Sequence, residues 1–155
     1  MKAISLWQPW ASLMAVGAKE IETRSWCTGH RGELVICASK KRHRPGEIPA
    51  VVEYWLRRYA KDLDLPTPAL FQEMMAALPY GQAVAVVDLT DCIPTAYVRA
   101  SMMEHDLGDY SLGLGRWAWR TENCRRLKKP VRIHGYQSVW RLSEAEESLV
   151  REQLA

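Results

Sequence analysis

Trp7-Gln8-Pro9-Trp10-Ala11-Ser12-Leu13-Met14-Ala15-Val16-Gly17-Ala18-Lys19-Glu20-Ile21-Glu22-Thr23-Arg24-Ser25-Trp26 reads as a short helix, a glycine hinge and a strand. Pro9 suits a first helical turn, where its missing N–H is not needed, and Gly17 suits the left-handed residue that ends a helix. Nothing between them breaks a helix. Beyond Gly17, Ile21 and Thr23 alternate with Glu20, Glu22 and Arg24, the two-residue period of a strand with unlike faces. Glu22 and Arg24 therefore share a face, and Lys19 emerges at the mouth of the hinge. A cation, a carboxylate and a second cation can converge there beside two indoles. A surface salt-bridge cluster next to core tryptophans would use the same residue types, so residue types alone leave both readings open.

Working outward, the 155 residues suit a single domain, since a chain of that size buries roughly 70% of its unfolded surface. The expected division is a core over about 4–142 and a helical tail over 143–155. No run of about 20 apolar residues occurs, so no transmembrane helix and no membrane partner are predicted. The apolar stretch after Lys2 is interrupted by Gln8, Pro9 and two tryptophans, unlike a secretory signal, and a cytoplasmic protein is expected. Cys27, Cys37, Cys92 and Cys124 are scattered without a C-x-x-C pair or zinc-finger spacing, so buried, reduced thiols are expected, with no metal and no cofactor.

The net charge of +3 conceals segregation. Lys and Arg against Asp and Glu number 10 to 5 over residues 1–60, 2 to 8 over 61–110, 8 to 1 over 111–142 and 1 to 4 over 143–155. The first basic block is densest at Lys40, Lys41, Arg42, His43 and Arg44; the second holds Arg116, Arg120, Arg125, Arg126, Lys128, Lys129 and Arg132. If folding gathers them on one face, a polyanion is the natural partner, because phosphate neutralisation supplies most non-specific affinity for nucleic acid. The chain also holds 7 Trp but 1 Phe, so its rings were not chosen merely to fill a core. Trp117 and Trp119 lie two apart on a predicted strand and share a face. Core packing is the ordinary fate of each, and base stacking is the alternative for one or two near the hinge.

Strands are predicted at Ala3–Leu6, Lys19–Trp26, Gly32–Ser39, Gln82–Cys92, Gly115–Leu127, Val131–His134 and Ser138–Leu142. A helix over Glu47–Tyr59 aligns Val51, Val52, Trp55, Leu56 and Tyr59, with Glu53 and Arg57 paired four apart. A second, from about Pro68 to Leu78, gathers Leu70, Phe71, Met74, Met75 and Leu78, its methionines reading as core filler. A short helix follows Pro94, and Ser143 with Glu146 forms a capping box for the last one. The mixed order of strands and helices makes the class α+β.

The run Gly17-x-Lys19-x-x-Glu22-x-Arg24 matches the G-x-K-x-x-E-x-R signature of the ASCH (activating signal cointegrator homology) domains of the PUA-like superfamily. Trp7-Gln8-Pro9-Trp10-Ala11-Ser12-Leu13 before it, and Arg24-Ser25-Trp26 through His30-Arg31-Gly32 behind it, resemble the subgroup that includes the transcription coactivator's own domain. Looser agreement continues through Ala38-Ser39-Lys40-Lys41, Val87 to Cys92, and Val139-Trp140-Arg141-Leu142. The resemblance implies a PUA-like small β-barrel of five or six strands flanked by helices, with the helix that ends at Gly17 closing one side of a cleft. By position, Lys19, Glu22 and Arg24 line that cleft, Gln8, Trp10 and Ser12 form part of its wall, and Arg31, Lys40 and Lys41 extend it.

Two functions of different class follow. One is a nucleic-acid-binding module, on RNA or DNA: basic strips grip phosphates and the cleft holds one splayed-out nucleotide, stacked on tryptophan and hydrogen-bonded by Glu22 and Arg24. The other is a hydrolase of a modified nucleoside or of RNA. Some relatives in the superfamily are amidohydrolases of N4-acetylcytidine and others ribonucleases, which implies Lys19 as base or nucleophile and Glu22 as proton shuttle. In the small amidohydrolase-like members a Thr stands where this chain has Glu22, so that hydroxyl nucleophile is missing from the signature unless Ser12, Thr23 or Ser25 takes its place. A carboxylate beside Lys19 also favours its charged form, opposing a base role. Binding is the favoured expectation. A protein-interaction module, the third class, has no separate recognition element in the chain.

Overall fold

The computed structural model describes residues 1–111 and 115–154. β1 (Lys2–Leu6) is followed by α1 (Trp10–Ala15), β2 (Ile21–Arg24), β3 (Gly32–Ala38), α2 (Ala50–Arg58) and α3 (Phe71–Ala77). β4 (Gln82–Pro94) leads through a 3₁₀ turn at Thr95–Tyr97 to α4 (Met102–Leu107); β5 (Trp117–Arg132), β6 (Trp140–Arg141) and α5 (Glu144–Leu154) complete the α+β fold.

The strands form one mixed sheet in the order β2-β5-β4-β3-β1-β6, with β1 parallel to β3 and every other pair antiparallel. The centre is apolar on both faces. Ile4, Leu6, Leu34 and Ile36 pack with Ala11, Met14 and Ala15 of α1 on one side, while Ala3, Val35 and Cys37 pack with Val150 of α5 on the other. That double burial explains the unbroken Leu34-Val35-Ile36-Cys37 run, where a half-exposed strand would alternate. Burial pushes the Cys37 thiol up to about 12, consistent with an inert thiol; all four cysteines are free, but only Cys37 and Cys92 are buried as expected, while Cys27 and Cys124 are exposed.

Four further expectations are corrected. Among the described residues no ladder joins the edge strands β2 and β6, so the barrel does not close. The cause is the shortness of β6, which pairs only with Lys2 and Ala3 and leaves the far half of β1's edge without a strand. Val131–His134 is not a separate strand: β5 runs on to Arg132, with a register shift between Ala83 and Ala85 that lets residues 127–130, including Pro130, bulge past one residue of β4. The helix after Pro94 shrinks to a 3₁₀ turn, and α4 follows, its Glu104 N–H donating to Ser101 Oγ at 3.2 Å. Val51 is exposed, because the buried line of α2 is Val52 and Leu56. Met74 is core, Glu53 and Arg57 pair at 2.8 Å, and the Ser143–Glu146 capping box forms. No helix among the described residues is long and apolar enough to cross a membrane.

Candidate functional site

The signature begins at the end of α1. Gly17 adopts φ +74°, its N–H donates to Met14 O at 3.0 Å and the next N–H, of Ala18, donates to Leu13 O at 3.0 Å. This is a Schellman closure, with Ala18 packed in the same apolar cluster as Leu13. The chain therefore turns sharply and carries Lys19 under the start of β2. Glu104 of α4 holds the turn: its carboxylate accepts the N–H of Glu20 at 2.5 Å and of Ile21 at 3.3 Å. Burial pushes the Glu104 carboxyl above its ordinary range, a shift opposed by those hydrogen bonds and by the nearby Lys19 charge.

Lys19, Glu22 and Arg24 do converge. Lys19 Nζ lies 3.3 Å from Glu22 Oε2 and Arg24 Nε 2.9 Å from Glu22 Oε1, so each carboxylate oxygen faces one cation. The Lys19 side chain is 1% exposed and also donates to the Ile21 carbonyl, whereas Glu22 and Arg24 are 16% and 26% exposed. Arg24 Nη2 donates to Ser5 O at 2.7 Å. Leu6 O accepts from Ser39 on the β3 side and Met1 O from Leu142 on the β6 side, so by strand alternation Ser5 O faces the β6 side, where β6 has already ended. The Arg24 guanidinium thus bridges β2 to the open edge of β1, where a closed barrel would have backbone pairing.

Two cavities flank that bridge. The smaller, about 510 Å³, is walled by Glu22, Arg24, Trp10, His43, Asp109 and Arg116 among others. The larger, about 900 Å³, includes Ser39, Lys40, Lys41, His134 and Tyr136. Trp7, Arg24 and Trp26 line both and separate them. In the smaller cavity, Arg116 lies 3.4 Å from Asp109 and donates to Thr23 O at 3.3 Å. The His43 ring packs 4.3 Å from Trp7 and 5.5 Å from Trp10, and this burial lowers its proton affinity below that of an ordinary imidazole, against the pull of Glu47.

The remaining expected site residues divide. Trp10 lines the smaller cavity, and Lys40 and Lys41 the larger, with Lys41 Nζ 4.4 Å above the Trp7 ring. Gln8 and Ser12 are buried beneath the wall: Gln8 Nε2 donates to Ser12 Oγ at 2.8 Å and to Pro79 O at 2.7 Å, while the Ser12 N–H donates to Gln8 Oε1 at 3.1 Å. They stitch α1 to the segment before β4. Trp119 is fully buried, its Nε1 donating to Trp26 O at 3.1 Å and its ring edge-on to Trp26 at 4.7 Å. Trp117 packs on the same core, and neither ring lines either cavity. Arg31 is exposed, bonds the Thr28 and His30 carbonyls and lies outside both cavities.

Of the second basic block, Arg116 alone lines either of the two cavities beside Arg24. Arg125 pairs with Glu33 and Asp88, and Arg126 with Asp64, along β5. Sequence reading missed Trp7, Trp26, His43 and Arg116 as site residues although all four stood in segments already singled out. Tyr136 carried no periodic or motif signal, and His134 stood only at the end of a predicted strand.

A family model of the ASCH domain matches residues 4–148, running into α5. Over 90 residues, 58% of this chain, Activating signal cointegrator 1 of Mus musculus is 38% identical and that of Homo sapiens 37% identical. The chain spans only 14% of either relative's length. The crystal structure of ASCH from Zymomonas mobilis superimposes over 97% of this chain and 93% of that one with a TM-score of 0.53, at 14% identity, a likeness of fold alone. With a signature whose three charged residues meet, Glu22 and Arg24 at a cavity wall and Lys19 buried against Glu22, and a family match over nearly its whole length, the chain belongs to the ASCH domain family, with its PUA-like α+β fold.

Proposed function

We propose that this domain, residues 1–155 acting as one cytoplasmic unit, binds single-stranded RNA or DNA and holds one nucleotide in the smaller cavity. The observation that carries the reading is Glu22, neutralised on both oxygens by Lys19 and Arg24 yet facing a cavity walled by Trp7, Trp10 and Trp26. A carboxylate so held accepts N–H donors from a base edge, indoles offer a stacking face, and Arg24 and Arg116 meet phosphate oxygens.

The geometry gives less support to hydrolysis of N4-acetylcytidine or RNA through Lys19. Its ammonium is spent on the Ile21 carbonyl and Glu22, and it lines neither cavity. A base or nucleophile must reach the reacting atom.

Fluorescence anisotropy of labelled ten-residue RNA and DNA strands tests the reading. Affinity should fall steeply between 50 and 200 mM salt, with a logarithmic slope of roughly −0.7 per phosphate neutralised. Absence of salt-dependent binding to either polymer overturns it. Incubation with N4-acetylcytidine and with a mixed RNA pool should leave both intact by mass spectrometry; turnover abolished by Lys19→Ala would instead establish the hydrolase.

A further inference from the structure

The two cavities differ in charge in a way that assigns them different parts of one ligand. The smaller contains carboxylates, Glu22, Asp106 and Asp109, among its cations. The described residues lining the larger include no Asp or Glu: its charged side chains, Arg24, Lys40 and Lys41, are all cationic. Carboxylates suit the N–H donors of a base edge, and an all-cationic wall suits phosphate.

We infer that the larger cavity takes the neighbouring nucleotide of the same strand, so that the minimal full ligand is a dinucleotide draped over Arg24 and Trp26. This rests on the reading that the smaller cavity holds a nucleotide. Three observations support the crossing. Trp7, Arg24 and Trp26 form the common wall, so an occupant of one chamber is separated from the other by side chains alone. Arg24 is pinned from two sides, by Glu22 at 2.9 Å and Ser5 O at 2.7 Å, and stays on the crest where the phosphodiester between the two residues would lie. The larger chamber also has its own platform and grip. Tyr136 is 59% exposed with its ring 4.9 Å from His134, and Lys40 and Lys41 stand on the facing wall. At about 510 and 900 Å³ each chamber falls within the roughly 300–1,000 Å³ typical of small-ligand sites.

The test compares a nucleoside 5′-monophosphate with the dinucleotide of the same base, read by quenching of tryptophan fluorescence. The wild-type protein should bind the dinucleotide about tenfold or more tightly than the mononucleotide, given one further stacked base. Tyr136→Ala and Lys40→Ala alter exposed side chains that take no part in the core. Each should weaken the dinucleotide several-fold while leaving the mononucleotide within about twofold. Equal affinity for the two ligands, or variants that weaken both alike, overturns the inference and leaves the single-nucleotide reading standing. Failure of both ligands to bind the wild-type protein overturns that underlying reading, and this one with it.

Discussion

Replacing Arg24 by Ala should destabilise the fold well beyond what a partly exposed arginine ordinarily contributes. Two interactions disappear. The hydrogen bond to Ser5 O has a charged donor and a backbone acceptor with no strand to replace it, and such bonds are worth about 1.5–3 kcal/mol. The ion pair with Glu22 adds about 1 kcal/mol, kept low because the Arg24 side chain is 26% exposed and solvent screens it. The sum is about 3 kcal/mol, and at roughly 2–4 °C per kcal/mol for a domain of this size the melting temperature should drop by about 6–12 °C. Urea unfolding at neutral pH measures the free energy directly, and Arg24→Lys sharpens the comparison. A single ammonium keeps the charge but not the fork that spans Glu22 and Ser5, so it should recover only part of the loss. A double-mutant cycle with Glu22→Gln separates the ion pair from the bridge. A loss of less than about 1 kcal/mol for Arg24→Ala would refute the idea that this side chain stands in for a missing strand pairing.

Three further outcomes are expected. Lys19→Met should cost about 1–3 kcal/mol by urea unfolding, because the Ile21 carbonyl and one Glu22 oxygen lose their donor while Arg24 still partners the carboxylate; an unchanged midpoint would count against a structural role for Lys19. Gly17→Ala meets no atom within 4 Å, so its cost should be the left-handed backbone alone, about 1–2 kcal/mol, with Gly17→Asn costing less by the same assay. His43 has its proton affinity lowered by burial and is therefore neutral at pH 7; as pH falls through that lowered value a cation is added to the smaller cavity. Oligonucleotide affinity should accordingly rise on acidification, with the imidazolium facing Lys41 and Glu47 as well as the ligand, and His43→Gln should flatten the profile; an identical profile in the variant would exclude His43 as the source.

Local features were readable wherever neighbouring residues decide the conformation. The Gly17 hinge follows from the absence of a Cβ, the Ser143–Glu146 box from a hydroxyl and a carboxylate three apart, and the Glu22–Arg24 pairing from strand alternation. Ser101 followed by Glu104 offered the same capping signal for α4, and it went unread because the stretch after Pro94 had already been given its helix. The roles of Trp119, Gln8 and Ser12 were less legible. An indole that packs a core and one that stacks a ligand have the same composition, and only three-dimensional placement distinguishes them. Trp119 sits against Trp26, 93 residues away in sequence.

By itself, the sequence determined the α+β class, from the mixed order of strands and helices, and the helix–hinge–strand signature, whose residues lie within a few positions of one another; it put Lys19, Glu22 and Arg24 within reach of one another without deciding that they converge. Tertiary structure alone decided that Lys19 lies buried under its carboxylate, held there by Glu104 from a helix more than 80 residues on. It also decided that β6 is too short to close the barrel, that Arg24 bridges the opening, and that within the basic block of β5 Arg125 is taken up by Glu33 and Asp88 and Arg126 by Asp64. These depend on which distant elements meet, and the cavities on either side of Arg24 exist only because they do.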